Sequence, residues 1–426
     1  MVLLWYLSAT FLYTRRQYVT NMSRPSRLLL LFCAGTLLLA GGAIATASVD
    51  EPLWESSQLT NSSAHVVEVS NSSNYLSLDQ ADVRQEQYES ASLDVAGAVQ
   101  GDALRLQGEQ RKRIVQQQLA DSDDKAAFHR QLLQEIESST LSLEQQRHQL
   151  YRQYSSGEID GTQLFREVVR LGVTAEQYRD ITDVVQGTSI SEGFSRQYSN
   201  IEGDSSLLPS AILSQIEGHL STADTGTMYV QAGNQSLILA SVEGDSYIRE
   251  AMLLGEHERD APEQFGSGGA SEAEDAFNRA QSLYPWTVSD VFNPTLRGFG
   301  NSSVYRLTAS HTHGTLRTYL DGATTNPFYE VHEKNPFAVP VTDFTQTTND
   351  GLRLDVQVTN PTGPMLIEVI ETEDVIYNNI TVSIDEQPVK TLSSGGDFYT
   401  VQPAGSFEIT ARTDTGQEVS VAIFPE

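Results

Sequence analysis

The chain predicts a multidomain α + β protein, with an N-terminal antiparallel helical hairpin or coiled coil, a central α+β domain and a C-terminal β-sandwich. Three observations support this. Apolar residues recur at helical spacing between about 85 and 190, strand and helix patterns mix between about 205 and 340, and clean alternation broken by Gly and Pro fills the chain from 345 onward.

The first segment, residues 1–47, stands apart in charge. It holds Arg15, Arg16, Arg24 and Arg27 and no carboxylate, whereas the whole chain has 27 Lys and Arg against 56 Asp and Glu. The remainder therefore carries all 56 acidic groups against 23 basic ones. From Met22, which reads as the start, a basic stretch with Arg24 and Arg27 leads into an apolar run from Leu28 to Leu39 and then into small residues. That order is an export signal with cleavage expected near Ala45 or Ala47. The competing expectation is an uncleaved anchor through residues 28–47, because about twenty apolar residues suffice to span a bilayer. Cys33, the single cysteine, lies within this run, so no disulfide can form within one chain.

Residues 48–84 are rich in Ser and Asn and lack an apolar period, which predicts a disordered stalk. Residues 85–200 predict the helical hairpin. An early helix covers about Ala103 to Leu119, and Asp121-Ser122-Asp123-Asp124 caps a long second helix with Phe128, Leu132, Ile136, Leu143, Leu150 and Tyr154 on one side. Ser155-Ser156-Gly157 ends it and Asp160 caps the next, whose inward side holds Leu164, Phe165, Val168, Leu171, Tyr178, Ile181 and Val185. The aspartates at 121–124 lack the glycine turn and distant glutamate of a calcium loop, so capping accounts for them.

The α+β domain is expected over 205–340. It starts with an amphipathic helix from Pro209 to Leu220, then strands at 227–230 and 236–241 joined at Gly233-Asn234, with a helix over Tyr247 to Leu254. Ser271 to Ala280 is a helix leading to Tyr284-Pro285-Trp286, followed by strands at 303–310, 314–320 and 326–332 with Asp321-Gly322 turning between the last two. This helix, strand and hairpin, with its Tyr319-Leu320-Asp321-Gly322-Ala323-Thr324-Thr325 phrase, resembles the PepSY module. The resemblance implies that the last strand packs on the helix.

Alternating segments such as Leu352 to Val358, Ile380 to Ile384, Phe407 to Ala411 and Val419 to Ile423 predict a β-sandwich over 345–426. Its Thr400-Val401-Gln402-Pro403-Ala404-Gly405-Ser406-Phe407 stretch resembles carboxypeptidase-regulatory-like, transthyretin-type modules. The carboxylate excess, with only Lys112, Lys125, Lys334 and Lys390 as lysines, resembles proteins of halophilic archaea. The order of parts, with a Tyr154-x-x-Gly157-Glu158-Ile159 turn in the hairpin, is similar to a group of haloarchaeal exported envelope proteins. That resemblance implies no particular activity.

Motifs for catalysis fail on inspection. Gly266-Ser267-Gly268-Gly269 has no following lysine, no G-x-S-x-G occurs, and Val331-His332-Glu333-Lys334-Asn335 lacks the second histidine of a zinc helix. His311-Thr312-His313 is a weak metal candidate, because residues two apart on a strand share a face, but further ligands are not in view. No cofactor is expected. Asn61, Asn71, Asn234, Asn301 and Asn379 head N-x-S/T triplets and are glycosylation candidates. So acidic a chain is a poor partner for nucleic acid, which needs cations to displace counterions. The reading that follows is a non-enzymatic, exported cell-surface or secreted protein that binds other envelope or extracellular proteins, with a homodimer through the hairpin as a further expectation. The alternative, implied by the PepSY resemblance, is a regulator or inhibitor of an extracellular protease.

Overall fold

The computed structural model describes residues 66–69, 72–78, 83–89, 95–188, 191–205, 211–221, 226–266, 268, 271–289, 294–372, 377 and 379–425. The expected leader over 1–47, with Ala45 and Ala47, and the triplets at Asn61 and Asn71 lie outside these residues. Among the described residues, no helix is long and apolar enough to cross a membrane.

Three short strands come first: β1 (Val66–Val67), β2 (Tyr75–Leu76) and β3 (Arg84–Glu89). Part of the segment expected as a disordered stalk is therefore folded. Tyr75, Leu76 and Leu78 are buried, and β1 and β2 form a small antiparallel pair of their own. The Ser and Asn residues that suggested disorder find partners far away in sequence, described below.

Five helices follow: α1 (Val95–Asp121), α2 (Lys125–Ser155), α3 (Gly161–Gln186), α4 (Glu192–Ser205) and α5 (Leu213–Ser221). The caps are local chemistry and fall where the sequence puts them. Asp124 accepts from Ala127 N to start α2, and Asp160 forms a reciprocal capping box with Gln163 to start α3. Gly157 takes a left-handed φ of 77° where α2 turns into α3, a conformation costly for residues with a Cβ. The α2–α3 turn is then tied down from outside, since Arg84 of β3 donates to Tyr154 O at 2.8 Å and Ile159 O at 2.9 Å while its guanidinium covers the Tyr154 ring.

The central strands are β4 (Thr227–Gly233), β5 (Ser236–Glu243) and β6 (Ser246–Leu253). Then come α6 (Glu272–Leu283), the one-turn α7 (Trp286–Ser289), β7 (Thr295–Gly298), β8 (Val304–His311), β9 (Gly314–Asp321) and β10 (Pro327–Lys334). All join β3 in one antiparallel eight-stranded sheet of order β3-β4-β5-β6-β10-β9-β8-β7. Of residues 247–254, expected as a helix, 247–253 form most of β6 instead. Both faces of this strand are covered, so its apolar residues run together without the alternation that would mark a strand.

The helices do not form a separate hairpin domain. Leu143, Tyr151, Tyr154, Leu164, Val168 and Ile216 share one core with Met228, Val230, Leu237, Leu239, Met252 and Val331 of the sheet. The coiled-coil expectation is thus modified: Leu143, Leu150, Leu164 and Val168 of the inward stripe join a core shared with the strands, whereas Leu132, Ile136, Ile181 and Val185 pack among helices. A second helical cluster joins Val115, Leu132, Ile136, Ile181, Val185 and Tyr198, bringing in α4, a helix that apolar spacing alone does not mark. The helix α6 packs on the opposite face, where Ala276 and Ala280 meet Tyr305, Leu307 and Leu320.

The last strands are β11 (Asp343–Asn349), β12 (Leu352–Val358), β13 (Pro364–Glu371), β14 (Ile380–Ile384), β15 (Gln387–Leu392), β16 (Gly396–Val401), β17 (Phe407–Arg412) and β18 (Glu418–Ile423). They make two four-stranded antiparallel sheets, β11-β12-β13-β16 and β15-β14-β17-β18. Alternate residues of both, including Leu354, Val356, Ile367, Val382 and Ile409, fill the space between them.

Truncating Leu164, fully buried in the shared core, is expected to cost about 2–5 kcal/mol. Denaturant unfolding of Leu164→Ala should show helix signal by far-ultraviolet dichroism and tyrosine packing of the sheet lost in one transition. Helix signal disappearing in a separate, earlier step would mean that the helices fold on their own.

Candidate functional site

The face of the sheet away from α1–α5 carries an unusual stripe. On β10 the side chains of Glu330, His332 and Lys334 share that face by strand alternation, and the register places Arg249 beside His332 and Tyr247 beside Lys334 on β6. Charged groups rarely go fully inside unless paired. Here the Arg249 side chain is 1% exposed and that of Glu330 is not exposed at all.

Glu330 is the hub. Its Oε1 accepts from Arg249 Nη1 at 3.1 Å and from the backbone N–H of Leu76 at 2.9 Å, and lies 3.0 Å from His332 Nε2. Its Oε2 accepts from the Tyr284 hydroxyl at 2.7 Å. Arg249 spends its other donors on Leu76 O at 2.5 Å and on Thr362 Oγ1 of the sandwich at 2.8 Å, beneath the ring of Tyr75. Tyr247 adds a 2.6 Å bond to Thr362 O. Four parts of the chain thus meet at one ion pair: the β1–β2 segment, both halves of the sheet, the end of α6, and the sandwich.

The electrostatics follow from burial set against these partners. Burial alone would raise the Glu330 carboxyl, but His332, Arg249 and the Leu76 N–H outweigh it and hold the group well below the usual carboxylate range. Burial pushes His332 down to about 4 and Lys334 down to about 7, because a charged form is costly there. The Tyr284 hydroxyl is pushed well above its ordinary value by burial and by the adjacent Glu330. Glu330 is consequently an occupied acceptor rather than a base awaiting a proton.

A second buried carboxylate, Asp321, closes the turn that the PepSY-like phrase contains. It accepts from Ala323 N at 2.9 Å, Thr324 N at 2.7 Å and His257 Nδ1 at 2.8 Å, and these bonds hold its carboxyl below the usual carboxylate range against the opposing effect of burial. His257 stacks on Phe328 with ring centroids 4.4 Å apart. On the helix-covered face Glu250 caps the start of α5 through Ala211 N at 2.7 Å.

The residues singled out in the sequence fall as follows. His311 ends β8 and His313 lies in the turn to β9, with ring centroids 5.5 Å apart, and His311 Nδ1 accepts from the His313 backbone N–H. The Trp286 ring meets His311 edge-on at 4.8 Å, and burial drives His311 down to about 3. Among the described residues, no group of three or more His, Cys, Asp or Glu is placed to hold a metal ion. Tyr284, at the end of α6, is fully buried with its hydroxyl donating to Glu330. Asn234, Asn301 and Asn379 are all exposed, Asn234 in the β4–β5 turn and Asn379 with a left-handed φ of 57°.

No contiguous motif marks the hub in the sequence, where His332 stands only as half of a zinc motif. Its signal was charge at alternate positions, Glu330, His332 and Lys334, within a strand of otherwise apolar character.

With this geometry in hand, three matches with known families can be placed. Residues 22–226 match a domain of unknown function (DUF7096), residues 228–340 a family of unknown function (DUF7094), and residues 343–420 an archaeal fibronectin-III type-like domain. No curated protein matches the chain. The C-terminal sandwich is thus of fibronectin-III type-like character, where the sequence resemblance had suggested a transthyretin-type module. The chain is a multidomain protein that is similar to two families of unknown function and, at its C-terminal end, to an archaeal fibronectin-III type-like domain. The first two matches meet between α5 and β4, inside a single hydrophobic core.

Removing one member of the buried pair leaves the other uncompensated, so Arg249→Met or Glu330→Leu alone should destabilise by about 3–5 kcal/mol. The double variant should be less destabilised than the sum, and a double-mutant cycle by denaturant unfolding measures the difference. The histidine adds a pH effect. Folded His332 takes a proton only near pH 4, whereas the unfolded chain takes it near 6.5, so its contribution is complete above 6.5 and lost as pH falls towards 4. His332→Gln should flatten that limb of the stability profile.

Proposed function

We propose that this is an exported, non-catalytic cell-surface or secreted protein of a halophilic archaeon that works by binding another envelope or extracellular protein. The observation that carries the proposal is the use made of the buried Arg249–Glu330 cluster. This buried gathering of titratable side chains has its bonds directed inward, to Leu76, Tyr284 and Thr362, where they join parts of the fold.

Several features support delivery to the outside. Residues 22–47 have the charge and size order of an export signal, kept or removed, and the rest is strongly acidic. At molar salt the screening length drops to about 3 Å, so the repulsion among so many carboxylates becomes local while their hydration keeps the surface soluble. The three exposed triplet asparagines are available for glycans, and an archaeal fibronectin-III type-like domain is a module suited to contact. Fractionation of the source cells with N-terminal sequencing tests the core of this reading. The expected product is envelope-bound or released and begins near residue 46 or 48 if the leader is cut. Intact protein in the cytosol with Leu28 to Ala45 attached would remove the proposal.

A second reading is a PepSY-type regulator or inhibitor of an extracellular protease. The helix followed by the meander of β8, β9 and β10 favours it, although α6 packs on β8 and β9 and not on β10, the strand that the resemblance places against the helix. The full chain mixed with protease secreted by the same cells should then slow peptide hydrolysis, and an unchanged rate would exclude this reading.

A further inference from the structure

The segment 72–78 lies on the sheet in the way a bound peptide lies in a receptor. Its contacts are read on the main chain as well as on side chains. Glu330 accepts the Leu76 N–H and Arg249 donates to the Leu76 carbonyl, so one fully buried ion pair holds both polar groups of one peptide residue. Asn74 donates to Leu283 O at 2.7 Å, just before Tyr284, and Ser73 Oγ lies 3.5 Å from His332 Nδ1. The Leu76 side chain is wholly buried with Ile238, Ala251 and Leu253, and Tyr75 covers the Arg249 guanidinium.

The strap holds on without a ladder to the sheet beneath it. Among the described residues its strand β2 pairs with β1 alone, in a two-stranded sheet separate from the eight strands. Lifting it would break no ladder of the large sheet, yet would leave Arg249 and Glu330 with unmatched donors and acceptors and would open an apolar pocket shaped for a leucine. A receptor surface with those properties selects an extended segment with a free main chain at the leucine and an aromatic residue before it.

We infer that the β6–β10 face is a peptide-binding site, occupied in cis by residues 73–78, whose ligand in trans is an extended segment of a partner protein carrying an aromatic–leucine pair. The two compete for the same buried ion pair, so the strap sets the threshold a partner must exceed. The inference concerns the surface alone and does not depend on where the chain is delivered, so it can fail while the export reading stands, and the reverse.

The test uses the full chain and a labelled synthetic peptide of residues 71–78, Asn-Ser-Ser-Asn-Tyr-Leu-Ser-Leu. The unaltered chain should show little binding by fluorescence anisotropy, because the strap is in place. Leu76→Asp puts a carboxylate in the leucine pocket and should eject the strap, giving saturable peptide binding. Where that variant does not fold, a protease site inserted within residues 79–82 and cut after folding lets excess peptide displace the strap. A peptide N-methylated at the leucine loses the bond to Glu330 and should bind about tenfold or more weakly. A folded, opened chain that takes up no peptide would overturn the inference, as would a methylated peptide that binds as tightly as its parent.

Discussion

The pairing of Arg249 with Glu330 is the constraint on which the rest of the molecule depends. Two charges removed from water are tolerable only if every remaining donor and acceptor is met. The chain meets them from widely separated places: Leu76 from the N-terminal strap, Tyr284 from the end of α6, Thr362 from the sandwich. Each of those elements has its position specified by an obligation to the same pair. Burial also makes the pair insensitive to ionic strength, while surface bridges such as Arg412–Glu418 are exposed to screening.

The sheet gives this hub two different faces. One is a broad apolar surface covered by helices, where Leu164 or Val168 contributes only area and shape. The other is a patchwork of three covers, namely the strap, α6 and the sandwich, and it is there that the polar groups concentrate. Apolar packing is non-directional, so a patchwork assembled from it alone would leave the covers free to slide. Directed bonds to Glu330, together with Gln87 to Thr400 at 2.6 Å at the sandwich contact, fix where each cover stops. The border between the first two family matches shows how closely the parts depend on each other, since neither side could close the helix-covered core by itself.

What could be read from the sequence was what is decided locally. Asp124 and Asp160 cap their helices with side chains three residues from the groups they satisfy, and the Asp321 turn closes on Ala323 and Thr324. The alternation of β12 or β17 needs only one buried face to be visible. What could not be read was decided at long range. Residues 247–253 are covered on both sides and lose the period that names a strand. Ser73, Asn74 and Tyr75 look like linker until His332, Leu283 and Arg249 are brought beside them. The candidate site shared this difficulty, because its arginine and its carboxylate sit on strands far apart in the chain.

That separation has a consequence for the order of folding. The bond from Leu76 to Glu330 spans 254 residues, and the one from Arg249 to Leu76 spans 173. On a ribosome the strap emerges early, long before strand β10 exists to receive it, so its docking must wait for nearly the whole α/β region to be synthesised. Closing so long a loop is entropically costly and slow compared with forming the capped helices in between. The first described residues to be made are therefore among the last to find their place, and the nascent chain passes through a stage in which α2 and α3 are formed and the receptor for the strap stands empty.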